Sequence, residues 1–578
     1  MTTDVGVEPE AASDQEATGS ALPPRHQAWW PVAAALLVAN APIVVATVRA
    51  LLRGWQPLGD NGILLVRAMD VGTRHNPLLG SWTSASLPLG EHVNNPGPLY
   101  SDLLALPVRL LGPWAGLAAG VMLVNVAATS LAVLVARRGL GVEAMAAATL
   151  GAALLQFAMG SELLFDVWQP NALVLPFFAF TVVVAALAAG DRTMLAWAVG
   201  VGSVVVQTHM SYAPVVALLL LVGVVAAVRA GRRVAAAEGP APSWRRPLAV
   251  AGVVVLLAWC QPLVEQFTAE DDGNLTRIVE AVTSDEGDTA AHGRGRATRL
   301  LAQVEAAGPW FAPGTYAEPF SDDTGLNPKM PGVVGLGPAV AIVVAVTAAL
   351  VGLVVWARRS GRDRLAALLV VALAAHGAVW LAVSVMPIGI GGMSPHTLRV
   401  LWPVGALVSV AGLTALLSAL GRRPALSPWL VGVILVGAAV VAGFNLPTRP
   451  QPTGPTADRD ALPAALELVG GLDALEGRGP VLFDPDTLRF AEPYSGLVFA
   501  ELRHRGIEFT FDDEGFIRQF GEGRREDGSA ELRMWLVEGP RAEEVPPGVE
   551  RVGYADGPWA PVALFVEPLE GDGAGGTG

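Results

Sequence analysis

The sequence predicts an α-helical, polytopic membrane protein with about eleven transmembrane helices and a small C-terminal α/β domain. Three observations lead to this fold class. Of the 578 residues, 52% are hydrophobic and only 16% are charged, whereas soluble domains carry nearer a quarter charged residues. Apolar runs of about 20 residues, the length of helix needed to cross a bilayer, recur along the chain. Arginines cluster in alternate connections between those runs.

The chain is expected to enter the membrane at its first apolar run. Residues 1–28 are polar and acidic, and we predict a disordered cytoplasmic tail there. The run from Trp30 to Leu52 is too long for a signal-peptide core and follows no basic segment, so we expect a retained helix. Residues 29–446 are predicted to form the transmembrane domain. Further apolar runs lie at 113–136, 139–160, 170–189, 193–210, 212–230, 247–264, 331–357, 364–386, 397–420 and 427–446.

The arginines predict the orientation of the helices. Cytoplasmic connections are enriched in Lys and Arg, so the basic connections are expected inside and the intervening ones outside. This places the N-terminus in the cytoplasm and puts the acidic loop 265–330 and residues 447–578 outside. The first outer loop, 53–112, is an exception because it also holds arginines. The basic clusters are Arg137 and Arg138; Arg192; Arg229, Arg232, Arg233, Arg245 and Arg246; Arg358, Arg359, Arg362 and Arg364; and Arg422 and Arg423.

The first outer loop is predicted to hold two short helices that lie in the membrane interface. Residues 63–69 form a short amphipathic segment after a Gly-Asp-Asn-Gly turn. A second helix, with an apolar stripe from Leu99 to Leu110, follows Asn95-Pro96-Gly97-Pro98, and Asn95 could cap it. Helices with one apolar face are suited to the boundary between lipid and water.

Residues 447–578 have the composition of a domain outside the lipid. A linker rich in proline and glycine is followed by predicted strands at 480–484, 507–511 and 532–537, with a helix at 494–505. Alternating strands and helices predict a small extracytoplasmic α/β domain. It contains no nucleotide-binding loop, metal-spaced cluster or nucleophile elbow that would identify its role.

Two aspartates that follow membrane helices are the candidate catalytic residues. Asp60 lies just beyond the first helix, where a partly desolvated carboxyl could act as a general base; an aspartate in such a turn can equally serve only as a helix cap. Asp166 lies between the third and fourth helices. It is either a functional acid at the membrane surface or a solvated loop acid beside the interfacial anchor Trp168. No cofactor is indicated, although a divalent cation could bind these two carboxylates.

Candidate substrate-binding residues gather on the predicted outer side. His209 lies in the polar break Gln207-Thr208-His209, where it could bind phosphate or sugar hydroxyls or pack against another helix. Arg399 could hold a lipid phosphate or extend to lipid headgroups. This asymmetry favours a site on the outer face. The other candidates are Arg67, Arg74, His75, Asn95 and His396.

The charge pattern argues against a nucleic-acid partner. The net charge is −14, and no loop or tail concentrates the basic residues that binding to phosphate backbones requires. The acids lie mainly in the tails and long loops, where they keep those segments solvated.

Several motifs resemble one family of membrane enzymes. Asp60 after the first helix, the interfacial helices and Asn95-Pro96-Gly97-Pro98-Leu99 resemble the lipid-dependent glycosyltransferases of the GT-C fold. Three further segments resemble a large actinobacterial branch of that fold: Asp166-Val167-Trp168-Gln169-Pro170-Asn171, Gln207-Thr208-His209, and Gln261-Pro262-Leu263-Val264-Glu265-Gln266 with Gly273-Asn274-Leu275. The resemblance covers roughly residues 30–450.

The resemblance implies sugar transfer from a polyprenyl-phosphate donor to a cell-envelope glycan, lipid or protein. Asp60 would be the general base of an inverting reaction, Arg399 or Arg74 would stabilise the phosphate, and Asp166 would position the acceptor or hold a metal ion. Two departures stand out. Many relatives carry an acidic pair where this chain has Asp60 and Asn61, and many carry His-Pro where it has Asn95-Pro96.

Two other functions are compatible with the sequence. A transporter or flippase of lipid-linked sugars would need polar residues along a path through the membrane, and few charged residues lie at mid-helix positions. A non-catalytic scaffold for envelope assembly would leave Asp60 and Asp166 apart or in solvent, without a shared cavity.

Overall fold

The computed structural model describes residues 29–83, 86, 92–239, 243–269, 271–283, 291–306, 334–387, 398–421, 427–448, 459–489 and 492–569. The tail predicted at 1–28 and the candidate residue His396 lie outside these ranges.

The described chain is a bundle of helices followed by a five-stranded sheet. The helices up to residue 306 are α1 (Trp30–Leu52), α2 (Asp60–Asp70), α3 (Leu99–Leu111), α4 (Pro113–Val135), α5 (Val142–Met159), α6 (Gln169–Ala172), α7 (Val174–Ala188), α8 (Met194–Thr208), α9 (Ala213–Glu238), α10 (Arg245–Thr268), α11 (Asn274–Thr283) and α12 (Gly293–Ala306). The others are α13 (Leu336–Arg359), α14 (Asp363–Val385), α15 (Leu401–Leu420), α16 (Ser427–Phe444), α17 (Leu462–Gly470), α18 (Ser495–Arg505) and α19 (Glu514–Phe520).

The predicted class, a polytopic helical membrane protein with a small C-terminal α/β domain, is confirmed. Within the described ranges, nine helices are long and apolar enough to cross a membrane. Two further apolar helices, Met194–Thr208 and Pro428–Phe444, lie at predicted positions but are shorter than the rest. The first of these ends at the polar break around His209, which shortens it. In the part of the chain that the structure describes, the eleven predicted runs thus correspond to nine long and two shorter apolar helices.

The connections of the bundle sort to two ends. At one end, Arg138 pairs with Asp191 at 3.2 Å and Arg233 with Asp363 at 3.7 Å, so several of the basic connections meet. At the other end, which we call the site end, the first loop contacts the connection between α5 and α6 and also the polar break around His209. These contacts define the two ends, and the orientation in the membrane predicted from the arginines stays a prediction.

The loop that was predicted to lie outside at 265–330 is partly inserted into the bundle. α12 packs against α13 and α14, and its Leu300 and Leu301 are fully buried. At one end of α12, the backbone N–H of His292 donates to the carbonyl of Met386 at the end of α14. Further along, Glu305 pairs with His376 at 2.5 Å. No pattern in the sequence predicted this helix.

The C-terminal domain is built on a mixed sheet. Its strands are β1 (Val481–Phe483), β2 (Phe509–Thr510), β3 (Leu532–Glu538), β4 (Glu550–Asp556) and β5 (Pro561–Pro568), in the order β2-β1-β3-β5-β4. β1 is parallel to β2 and β3, whereas β5 is antiparallel to β3 and β4. The first three strands and α18 lie close to their predicted positions. β4 and β5 were not predicted.

The domain rests directly on α2, the helix that begins with Asp60. The backbone N–H of Gly59 donates to the carbonyl of Pro493 at 2.9 Å. A Cβ atom at Gly496 would lie 1.9 Å from the carbonyl oxygen of Gly59, so only glycine permits the contact. At the other end of α2, buried Asp70 pairs with Arg503 at 2.6 Å and Arg524 at 2.8 Å. The C-terminal domain therefore contacts both ends of α2 and helps to fix the position of the turn that carries Asp60.

Candidate functional site

Asp60 is the accessible carboxylate of the site end. It follows Gly59, whose φ of +51° is a left-handed conformation that suits glycine. The side chain is exposed, and the side chain of Trp168 donates a hydrogen bond to it. Surrounding protein atoms still displace much of the water around the carboxyl group, and this desolvation raises its pKa above the usual value.

Asp166 is fully buried in the connection between α5 and α6. Oδ1 accepts from the side-chain amide of Asn61 at 2.9 Å and the backbone N–H of Trp168 at 3.3 Å, and Oδ2 accepts from the side chain of Asn171 at 2.5 Å. Burial raises the pKa of Asp166 to about 6, against the opposing effect of these hydrogen bonds and of the Arg399 charge. The carboxylate is thus held in place by polar neighbours but exposed to little water.

Asn61 and Trp168 join the two acids into one site. Asn61 follows Asp60 in α2 and donates to Asp166, while Trp168 donates from its side chain to Asp60 and from its backbone to Asp166. The Oδ1 atom of Asn61 is buried and has no hydrogen-bond partner among the described residues. The structure therefore brings together two acids that lie more than a hundred positions apart in the sequence.

Arg399 supplies a positive charge near Asp166. Its side chain is 1% exposed, and the guanidinium group lies 4.8 Å from the ring centroid of Trp402. Burial lowers its pKa to about 10, while the charge of Asp166 works in the opposite direction. The group remains protonated at neutral pH. Arg399 is therefore a cation near the Asp166 carboxylate, in a region of low dielectric constant where charges interact strongly.

His209 lies at the break between α8 and α9. Its Nδ1 is 2.7 Å from the hydroxyl of Ser211, and burial lowers its pKa to about 4. It is therefore neutral at physiological pH and suited to hydroxyl groups rather than to phosphate charge. Asn95 tethers the first loop here, because its Oδ1 accepts from the backbone N–H of Met210 at 2.9 Å. The predicted capping role of Asn95 is wrong, since Pro98 occupies the N-cap of α3.

The remaining candidates of the first loop contact the C-terminal domain. Arg67 is buried and donates to the backbone carbonyls of Gln519 and Leu79. Arg74 is exposed and pairs with Glu508 at 3.0 Å. The Nδ1 atom of His75 lies 2.6 Å from the carbonyl oxygen of Gly523. These three side chains connect the loop to the domain, and no described contact joins them to Asp60 or Asp166.

A group of arginines that sequence reasoning did not select lies beside the acids. Arg49, Arg53 and Arg459 line a cavity together with Asn61 and Glu162. A signal was present in the sequence, because Arg49 and Arg53 are spaced one helical turn apart at the end of α1 where the arginine pattern predicts few basic residues. Arg459 could not be found in this way, since only the fold brings it to the first helix.

The donor set around Asp166 does not suit a divalent cation. Three N–H groups already point at its carboxylate oxygens, and a metal ion would have to displace them. Across the part of the chain that the structure describes, no group of three or more His, Cys, Asp or Glu side chains could hold a metal ion. The hydrogen bonds to Asp166 therefore favour chemistry in which this carboxylate binds no metal.

The fold and the site together define a multi-pass membrane protein with a buried acid, an accessible acid and a buried arginine at one end of its bundle. No family profile matches the chain, and no curated protein matches it. One similar solved structure is that of ArnT from Cupriavidus metallidurans bound to undecaprenyl phosphate. That match has 15% sequence identity and a TM-score of 0.49, and it covers 93% of this chain and 97% of the other. The function therefore has to be argued from the site itself.

Proposed function

We propose that this protein is a GT-C-type glycosyltransferase that moves a sugar from a polyprenyl-phosphate donor to an extracytoplasmic cell-envelope acceptor. The observation that carries the proposal is the arrangement of one accessible carboxylate with a raised pKa, Asp60, next to the buried pair of Asp166 and Arg399. The donor class comes from the sequence motifs that resemble this family. The location outside the cytoplasm comes from the arginine pattern.

The reaction requires two groups in one site: a base that takes the proton of the acceptor hydroxyl, and a group that stabilises the negative charge of the leaving phosphate. The acceptor hydroxyl oxygen attacks the anomeric carbon, the bond from that carbon to the phosphate oxygen breaks, and its electron pair leaves with the phosphate. Positive charge builds on the sugar and negative charge on the phosphate during this step. Asp60 takes the acceptor proton, and the raised pKa that desolvation gives its carboxylate makes it a stronger base.

Arg399 is proposed to stabilise the leaving phosphate. It is buried and protonated beside the acids, so its charge is available in a region from which water is largely excluded. Asp166 is proposed to act as a positioning residue, because it holds Asn61 by a hydrogen bond and attracts Arg399. His209, which is neutral, is proposed to bind a sugar hydroxyl.

Four residues of the first loop are proposed to affect substrate binding only indirectly: Arg67, Arg74, His75 and Asn95. Each is bonded to the C-terminal domain or to another loop of the site end. Their loss is therefore expected to displace the first loop rather than to remove a contact with the donor. The lipid chain of the donor would lie against the apolar face of α3, where Leu103, Leu106 and Leu110 are exposed.

The scaffold alternative fits the geometry less well. It would leave the two acids apart or in solvent. Asp60 is exposed, but Asn61 and Trp168 connect the two acids and Asp166 is completely buried. A buried acid is costly unless it serves the structure or a reaction. The link to an accessible acid favours a reaction.

The direct test is a transfer assay with full-length protein in proteoliposomes that contain radiolabelled polyprenyl-phosphate sugars and an envelope lipid extract. The proposal predicts label in a new acceptor product and release of unlabelled polyprenyl phosphate. Movement of intact donor between leaflets without bond cleavage would instead support a flippase. Absence of both activities with every donor offered would contradict the proposal.

A further inference from the structure

A second cationic region adjoins the site. A cavity of about 400 Å³ opens between the end of α1, the connection after α5 and the chain that leads to α17. That volume falls within the range of small-molecule sites. Its polar lining includes Arg49, Arg53, Arg459, Glu162 and Asn61. The proposed reaction uses none of the three arginines.

The cavity carries excess positive charge. Three guanidinium groups face a single carboxylate among the described lining residues. Arg49 donates to the carbonyl of Leu446 at 2.5 Å and Arg53 to the hydroxyl of Thr448 at 3.0 Å. Both of these acceptors are neutral, so they orient the two arginines without cancelling their charge. Two guanidinium groups that lie close together repel each other, and an anion bound between them would relieve that repulsion.

Glu162 offers a hydrogen-bond acceptor in the same cavity. Its side chain is 10% exposed, and one carboxylate oxygen pairs with Arg459. The other oxygen, Oε2, is buried and has no hydrogen-bond partner among the described residues. A ligand hydroxyl would satisfy it. Trp55 and Phe165, which meet edge to face at 5.9 Å, line the apolar part of the cavity and give a surface on which a sugar ring can pack.

Arg399 does not line the cavity, and Asn61 and Asp166 link the two regions. Asn61 lines the cavity and donates to Asp166, and Asp166 in turn attracts Arg399. The contacts thus run in order from the cavity through Asn61 and Asp166 to Arg399. An inverting transfer needs the acceptor and the leaving phosphate on opposite faces of the sugar. If Arg399 receives the leaving phosphate, this separate cationic region is left for the acceptor.

We propose that this cavity is an acceptor subsite that binds a phosphorylated sugar, with the phosphate on Arg49 and Arg53 and a hydroxyl on Oε2 of Glu162. The assignment to the acceptor rests on the proposed function, whereas the binding chemistry does not. The class of ligand is a phosphate ester on a sugar. The donor also carries such a group, so the test must separate the two sources.

The test is a calorimetric titration of the full-length protein in detergent with two probes. Glucose 1-phosphate carries a sugar phosphate without lipid, and farnesyl phosphate carries a prenyl phosphate without sugar. We expect the Arg49→Gln/Arg53→Gln variant to bind glucose 1-phosphate at least tenfold more weakly than the unmodified protein, with farnesyl phosphate binding unchanged. Arg399→Gln should show the reverse pattern. Glu162→Gln should weaken glucose 1-phosphate binding by a smaller factor.

The controls separate charge from folding. Arg359→Gln removes an exposed arginine at the end of α13 that does not line the cavity and should leave both affinities unchanged. Arg49→Lys/Arg53→Lys should retain glucose 1-phosphate binding because it keeps the charge.

No binding of glucose 1-phosphate by the unmodified protein, or equal binding by the glutamine variant, would overturn the proposal. Loss of farnesyl phosphate binding in the glutamine variant would assign the cavity to the donor and overturn the acceptor assignment. Because no outcome requires turnover, failure here is distinguishable from failure of the proposed transfer reaction.

Discussion

The side-chain amide of Asn61 donates a hydrogen bond of 2.9 Å to Oδ1 of Asp166. Many members of the family that the sequence resembles carry an acid where this chain has Asn61. An acid at this position would place two carboxylates against each other in a buried environment, and one of them would have to be protonated. The amide avoids this repulsion and turns residue 61 into a donor that holds Asp166.

Asn61→Asp is therefore predicted to weaken both the protein and its reaction. The substitution removes a donor from a buried carboxylate and adds a like charge, and leaving a buried polar group unsatisfied costs about 1–3 kcal/mol, more if charged. We expect a lower thermal midpoint and at least a tenfold lower transfer rate at neutral pH, with part of the rate recovered at lower pH as one acid protonates. A variant as stable and active as the parent would show that the hydrogen bond has no role.

Asp166 is predicted to make stability depend on pH. Burial raises its pKa from 3.8 to about 6, so the folded protein holds a proton that the unfolded chain has released between these values. The contribution to the free energy of unfolding is fully present below pH 3.8 and is lost as the pH rises through about 6. The total change is roughly 3 kcal/mol, because a pKa difference of one corresponds to about 1.36 kcal/mol. We therefore expect the thermal midpoint of the parent protein to fall relative to that of Asp166→Asn as the pH rises across this range. A difference between the two midpoints that stays constant with pH would contradict a raised pKa at Asp166.

Gly496→Ala is predicted to disturb the docking of the C-terminal domain. The added Cβ would lie 1.9 Å from the carbonyl oxygen of Gly59, and forcing extra atoms into a packed contact typically costs about 1–3 kcal/mol. Because Gly59 precedes the candidate base, we expect a lower transfer rate together with faster proteolysis of the domain. Gly470→Ala is the matched control, since a Cβ there meets no atom within 4 Å. Equal behaviour of the two variants would mean that the contact does not position the site.

Removal of divalent cations is predicted to leave transfer nearly unchanged. The oxygens of Asp166 are occupied by N–H donors from Asn61, Asn171 and Trp168, and Arg399 already supplies positive charge to the phosphate. We expect less than a twofold change in the rate on addition of EDTA, measured in the same assay. A loss that added Mg²⁺ or Mn²⁺ restores would assign a metal to the mechanism.

Much of the membrane domain could be predicted from the sequence because lipid imposes a simple rule. Each span needs a long apolar run, and the predicted runs coincide with helices in the structure. The inserted helix Gly293–Ala306 was not predicted, because it is short and carries three arginines in its first half. It is buried only through packing against α13 and α14. Strands β4 and β5 were not predicted, although they pair with each other across the short turn between Asp556 and Pro561.

The candidate site could be predicted only in part. Asp60 and Asp166 stood out because acids next to membrane helices are rare and costly. The contact partners of Arg67 and His75 could not be predicted, since Gln519 and Gly523 lie more than four hundred positions away. The cavity around Arg49 was missed because Arg459 and Glu162 reach it from separate segments. Local patterns thus predict the candidate acids, whereas long-range contacts decide which charged groups lie near them.

The most decisive experiment is to measure the transfer rate of Asp60→Asn in proteoliposomes with a radiolabelled polyprenyl-phosphate sugar. The substitution keeps the shape of the side chain but removes the base, and general-base catalysis is typically worth about 10² to 10⁴ in rate. We predict a loss of that size with normal membrane insertion, an unchanged thermal midpoint and unchanged binding of farnesyl phosphate. Asp486→Asn, which alters an exposed aspartate of the C-terminal domain, should retain the parental rate. Parental turnover by Asp60→Asn would show that this carboxylate is not the base.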